Sequence, residues 1–190
     1  MRGCAVVKRV AMMLTVLVVM WPGVAAAQFT GWATVGVGKT TGGDTTNDGN
    51  AFSVSAIAFE SRGWFGAEID LSHSTRFNDE AFADSGLTSL MLSVVASPHI
   101  GRIQPYVAGG AGLMRARGCV ASCARTLSHT EFGINTGGGV HVPLTELLAV
   151  GADVRYFRVL KQGDDFPRTA SGSFNYFRVL LGASFTWSAP

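Results

Sequence analysis

The sequence predicts an all-β fold: an eight-stranded antiparallel transmembrane β-barrel with up-and-down meander connectivity. Three observations carry that expectation. Apolar residues recur every second position through unusually long segments. The opposite faces of those segments hold glycine, hydroxyl and charged residues. Long polar connections alternate with short ones. The clearest pair is Leu147–Tyr156 and Phe177–Trp187. In the first, Leu148, Val150, Ala152, Val154 and Tyr156 alternate with Ala149, Gly151, Asp153 and Arg155. In the second, Phe177, Val179, Leu181, Ala183, Phe185 and Trp187 alternate with Arg178, Leu180, Gly182, Ser184 and Thr186. A period of two separates the faces of a strand. A globular strand runs to about five or six residues, whereas a tilted membrane-spanning one needs roughly nine to eleven.

The first 27 residues form a separate unit. Arg2, Lys8 and Arg9 make a basic start, Val10–Trp21 is an apolar run, and Ala25-Ala26-Ala27 is a small-residue cleavage site. This is the expected order of a cleaved signal peptide, with one barrel domain over 28–190. An uncleaved anchor is the alternative, but the apolar run is short for a helix of about 20 residues. The 15 basic residues lose Arg2, Lys8 and Arg9 with the leader, leaving 12 against 13 acidic ones, so the formal charge passes from +2 to −1. The basic balance of the whole chain therefore belongs partly to export and makes no case for nucleic-acid binding.

Along the mature chain, strand one is expected over Phe29–Gly38, followed by the polar loop Lys39–Asn50. Strand two, Ala51–Glu60, has no clear facing because Ala56, Ile57, Ala58 and Phe59 are all apolar. A tight turn around Arg62-Gly63 leads to strand three, Phe65–Ser72, where Phe65, Ala67, Ile69 and Leu71 oppose Gly66, Glu68, Asp70 and Ser72. The connection His73–Gly86 precedes strand four, Leu87–Ala96. A turn around Ser97-Pro98-His99 brings in strand five, Ile103–Met114, whose Gly109, Gly110 and Gly112 obscure its phase. Arg115–Thr130 reads as a third long loop, Glu131–Val142 as strand six, and Lys161–Gly172 as a fourth long loop before the last strand.

Alternation alone does not say which face lies inside. A soluble ligand-binding barrel would turn its apolar face inward, whereas a membrane barrel turns it to lipid and closes to satisfy every backbone hydrogen bond. Glu68, Asp70, Glu131, Asp153, Arg155 and Arg178 occupy the polar faces, where opposite charges can neutralise one another across a narrow interior. They are read as a salt-bridged interior network, with an ion-selective lumen as the alternative. Aromatics gather near strand ends: Phe29, Trp64, Phe65, Tyr106, Phe185 and Trp187 at one, Tyr156, Phe157, Phe174, Tyr176 and Phe177 at the other. Phe29, Trp64, Phe65, Tyr106, Tyr156, Phe177, Phe185 and Trp187 are expected to form interfacial belts. Barrel-core packing is the alternative reading, above all for Trp32.

Other chemistry is thinner. Ser72, His73 and Ser74 could supply a base beside a nucleophile, but adjacent hydroxyls and imidazoles are common by chance. Asp44 and Asp48 lie among loop glycines and offer too few ligands for calcium. No cofactor or metal is expected. Cys119 and Cys123, the two cysteines after the leader, are four apart in an exported chain; a disulfide is the preferred reading, two free thiols or an intermolecular link the alternatives.

Leader, strand number and glycine-rich strands together resemble the small outer-membrane protein β-barrel domain family, which includes opacity-type surface proteins. The local matches are Gly137-Gly138-Gly139-Val140, Leu144-Thr145 and Asp153-Val154-Arg155-Tyr156, with Pro105-Tyr106 followed by Gly109, Gly110 and Gly112. The chain differs in running on through Ser188-Ala189-Pro190, which leaves Phe185 and Trp187 as the sorting aromatics. The resemblance implies an outer-membrane location and insertion by the barrel-assembly machinery. It also implies contact with outer-membrane lipid and lipopolysaccharide. With it come three readings of function: a monomeric structural or surface-interaction barrel presenting four outer loops to an external partner, a narrow channel, or a lipid-modifying enzyme. The last is similar to outer-membrane lipid A deacylases only in pairing His with Ser.

Overall fold

The computed structural model describes residues 29–43, 49–60, 64–75, 83–98, 100, 103–120, 125–160 and 174–188. The leader, Cys123, and loop positions Asp44, Asp48, Asp164 and Asp165 lie outside them. Eight strands follow in order: β1 Phe29–Thr41, β2 Gly49–Glu60, β3 Phe65–Thr75, β4 Ala83–Ala96, β5 Gln104–Val120, β6 Arg125–Pro143, β7 Leu148–Val159 and β8 Asn175–Ser188. Each pairs antiparallel with its sequence neighbour, and β8 pairs with β1 to close the barrel. Closure leaves no open edge, so the backbone polar groups of the wall are satisfied within the sheet.

Every strand is long, from 11 residues in β3 to 19 in β6. Two sequence expectations change here. Arg115–Thr130, expected as a loop, is mostly paired strand: the β5–β6 ladder continues to Val120↔Arg125. Beyond Leu113 the outward positions of β5 become Arg115 and Arg117, both exposed. An apolar-face criterion ends there, while the hydrogen-bond ladder needs no apolar face once it has left the hydrocarbon. The expected contrast of loop lengths is also weaker, because 97–103 between β4 and β5 is as long as 42–48 and 76–82. Within that connection Ile100 and Ile103 form an isolated bridge.

The facing is decided by burial. Val37, Leu92, Val94, Val107 and Leu181 are all more than 60% exposed, while Glu68, Asp70, Arg155 and Arg178 are at most 3% exposed. The apolar face points out and the charged face points in. A soluble barrel would show the reverse, and a continuous apolar outer wall of this kind is a lipid-facing surface. The unclear β2 resolves with Ala51, Ser53, Ile57 and Phe59 buried and Phe52 outside. Two inner apolar clusters result. Trp32, Ile57, Phe59, Val95, Tyr106 and Ala108 pack toward the short-turn end. Leu87, Met91, Met114, Ala116, Phe157, Val159, Phe174 and Tyr176 pack toward the end that carries 160–174.

Candidate functional site

Between the two apolar clusters lies a layer of ion pairs. Strand parity sends Glu68 and Asp70 inward from β3, Asp153 and Arg155 from β7, and Arg178 from β8. Arg155 donates from Nη1 and Nη2 to the two carboxylate oxygens of Glu68 at 2.6 and 2.8 Å. Arg178 does the same to Asp70 at 2.7 and 3.1 Å. Each is a two-pronged pair, the geometry in which a guanidinium binds a carboxylate most strongly. Asp153 joins them: it accepts from Nε of Arg155 at 2.9 Å and from Nη2 of Arg178 at 3.4 Å. The guanidinium of Arg178 also lies 5.0 Å from the centre of the Phe157 ring, on the face of the apolar cluster.

Three carboxylates thus meet two guanidinia. Hydroxyls supply the remaining donors. Tyr106 donates to Asp153 Oδ2 at 2.6 Å, and Ser53 donates to Asp70 Oδ2 at 2.6 Å. Nε of Arg178 has no protein partner. A cavity of about 20 Å³ borders Arg178, Asp153, Ser55 and His141, the size of one water site.

The glycines of β6 explain how so much fits. The register runs Tyr106↔Gly139↔Asp153, so Gly139 lies in the wall between the phenol and its carboxylate. A Cβ at Gly139 would stand 2.7 Å from the Tyr106 hydroxyl oxygen and would also press on the Ala152 carbonyl. Gly137, opposite Arg155, would place a Cβ 3.1 Å from that arginine's Cγ. Small residues on β6 therefore leave room for large ones reaching in from β5 and β7.

Glu131 stands apart from this layer. The row of Glu68 runs through Ser93 and Gly110 to Asn135, and the row of Asp70 through Met91 and Gly112 to Gly133. Glu131 is the next inward position beyond, half-buried opposite Met114. Tyr106 is a correction: expected in the interfacial belt, it is 6% exposed and inside. The glycines of β5 hid its phase, and Asp153 gives its hydroxyl a buried partner. Phe157, Phe174 and Tyr176 are likewise internal, with Phe157 and Tyr176 stacked at 4.8 Å and 3°. The other belt residues stand on the outer face. Trp64, Phe65, Phe177 and Phe185 are exposed, Phe29 half-buried, Tyr156 half-buried against Phe177 at 5.1 Å, and Trp187 lies over Gly31.

His73 does not meet its neighbouring serines. Its Nδ1 is 2.9 Å from Thr88 Oγ1 on the outer face, while Ser72 and Ser74 point inside and Ser72 bonds Ser89 at 2.7 Å. Cys119 lies on β5 opposite Thr126.

The comparisons agree with this architecture. Neisserial surface protein A is similar at 17% identity and a TM-score of 0.60, covering 85% of this chain and 97% of that one. Ail, the attachment invasion locus protein of Yersinia pestis, is similar at 14% identity and 0.55, covering 85% and 100%. The outer membrane protein OprG from Pseudomonas aeruginosa is similar at 11% identity and 0.57, covering 86% and 97%. No curated protein matches the sequence. The model of the outer membrane protein beta-barrel domain matches residues 10–185. The chain belongs to that family and is a bacterial outer-membrane protein.

Proposed function

We propose that the protein is a monomeric, non-enzymatic structural barrel whose interior is plugged and whose outer end presents loops to an external partner. The observation that carries this reading is the paired layer, Arg155 on Glu68 and Arg178 on Asp70, sealed between two apolar clusters. Eight strands enclose an interior just wide enough for side chains. Moving an ion through the layer would require both pairs to part, and an unpaired buried charge costs roughly 3–5 kcal/mol. The outward aromatics Phe29, Trp64, Phe65, Phe185 and Trp187 at one end, with Tyr156 and Phe177 at the other, serve as interfacial belts. Assembly proceeds through the barrel-assembly machinery, and lipid and lipopolysaccharide surround the wall. A Cys119–Cys123 disulfide would stiffen the β5–β6 tip.

Planar-bilayer recording tests the plug. The purified full chain should give no current steps above the bare-bilayer leak in molar potassium chloride. Reproducible steps from folded protein would replace the plug with the narrow-channel reading. His73 and the serines beside it on opposite faces support the non-enzymatic reading. Membranes with and without the protein should therefore have the same lipid masses.

A further inference from the structure

The outer wall of β3–β6 changes character between two adjacent cross-strand rows. One row is Leu71↔Leu90↔Leu113↔Phe132, apolar throughout. The next toward the 160–174 end is His73↔Thr88↔Arg115↔Thr130, and the one after is Thr75↔Gly86↔Arg117↔Ser128. The last row extends through Asn50 on β2 to Lys39 on β1. No carboxylate stands in these polar rows. Arg115 and Arg117 share a face two residues apart, both exposed, with Arg115 Nη2 3.4 Å from Ser128 Oγ. His73 and Thr88 join at 2.9 Å beside Gly86, which brings no side chain into the patch.

Such a patch has a definite fit. Two guanidinia side by side repel one another, and an anion between them removes that cost. Guanidinium forks match phosphate oxygens, and Thr and Ser hydroxyls add neutral donors. The leucine–phenylalanine row directly beneath fixes the height: the anion must sit at the hydrocarbon boundary, where its acyl chains can lie against Leu90, Leu113 and Phe132. Outward acids Glu60 and Glu146 stand at the opposite end of the barrel, so among the described residues the cationic wall marks one leaflet.

We propose that His73, Thr88, Arg115, Arg117 and Ser128 form a binding site for the phosphate of a membrane lipid, the phosphorylated glycolipid of the outer leaflet. The site assigns the 160–174 end to the cell exterior. It rests on the membrane-spanning fold and is independent of whether the interior conducts.

Full-length protein folded in neutral maltoside micelles, titrated with lipid A and with its dephosphorylated form, tests this by native mass spectrometry. The parent protein should prefer the phosphorylated lipid by about tenfold or more, as two surface cations near a headgroup warrant. R115Q/R117Q should lose that preference, while R158Q, on β7 outside the patch, should keep it. The preference should also fall with added salt. Inorganic phosphate at equal concentration should leave the lipid bound; displacement would point to a free-anion site and overturn the lipid assignment. Equal binding of the two lipids by the parent overturns the proposal without any variant, so misfolding of R115Q/R117Q does not shield it. A preference unchanged in folded R115Q/R117Q overturns the site.

Discussion

The inner wall has two unlike halves. β7 and β8 send in Arg155, Phe157, Tyr176, Arg178 and Leu180, all buried. β6 presents Gly133, Gly137 and Gly139 on its inward positions, and β5 presents Gly110 and Gly112. β7 and β8 supply volume and charge, and these glycines supply space for them and for Tyr106 of β5. The packing of the charged layer depends on both, because large and small side chains must complement one another where the wall is close-packed. A glycine here acts as a complement to an arginine or a tyrosine on the neighbouring strand. The outer wall teaches the opposite lesson. There any apolar side chain of moderate size meets lipid, and no single contact is specified.

Breaking the charged half should cost the most. Arg155→Leu leaves Glu68 buried with its two-pronged partner gone, and should destabilise the barrel by roughly 3–5 kcal/mol. Urea titration in one detergent, followed by tryptophan fluorescence, reads this as a lowered midpoint. An unchanged midpoint would mean that Glu68 finds other solvation. Filling the spacious half comes next. Gly139→Val forces Tyr106 off Asp153 and should cost about 1–3 kcal/mol as overpacking. A weaker effect than that of Gly109→Val would contradict the complementarity, since Gly109 faces outward and a Cβ there meets only the Asn135 carbonyl at 3.9 Å.

Asp153→Leu should fall in a similar range, about 1–3 kcal/mol, because both guanidinia keep their principal carboxylates while losing a hydrogen-bonded third. The Tyr106→Phe substitution sharpens the comparison at its smallest scale. It keeps the ring and removes one hydrogen bond while Asp153 keeps both guanidinia, so about 1 kcal/mol is expected and the packing is untouched. Comparable loss from Tyr106→Phe and Gly139→Val would show that the hydroxyl contact, and not the ring position, is what the glycine protects.

Much of this was legible in the chain. Regular alternation in β3, β7 and β8 placed Glu68, Asp70, Asp153, Arg155 and Arg178 on one side, because a charge on a strand that is otherwise apolar every second residue declares its face. β2 and β5 were not legible for physical reasons. In β2 both faces are apolar around Ala56–Phe59, since Ile57 and Phe59 serve an inner cluster while Ala56 and Ala58 meet the outside. In β5 glycine carries no polarity, so Tyr106 could be read either way. Alternation alone therefore puts the aromatic that borders the charge layer at the rim. Gly137 and Gly139 stood out as a family-like run, but their role depends on which residues they oppose, and register is not written in one strand. Outward apolarity on β5 ends at Leu113, while the β5–β6 ladder continues past it. The rows Arg115–Thr130 and Arg117–Ser128 keep the period and lose the hydrophobicity.

If paired charges hold the inner wall together, Glu68 and Arg155 must be coupled in a double-mutant cycle. Unfolding free energies of the parent, Glu68→Leu, Arg155→Leu and the double variant are measured by urea titration in the same micelle. The double variant should lose less than the two singles combined, and Arg155→Leu should be the more damaging single, because it leaves Glu68 buried without its partner whereas Glu68→Leu leaves Arg155 on Asp153. The coupling should amount to several kcal/mol, on the order of the cost of an unpaired buried charge. Losses that simply add, with the double variant as unstable as the two singles combined, would contradict it.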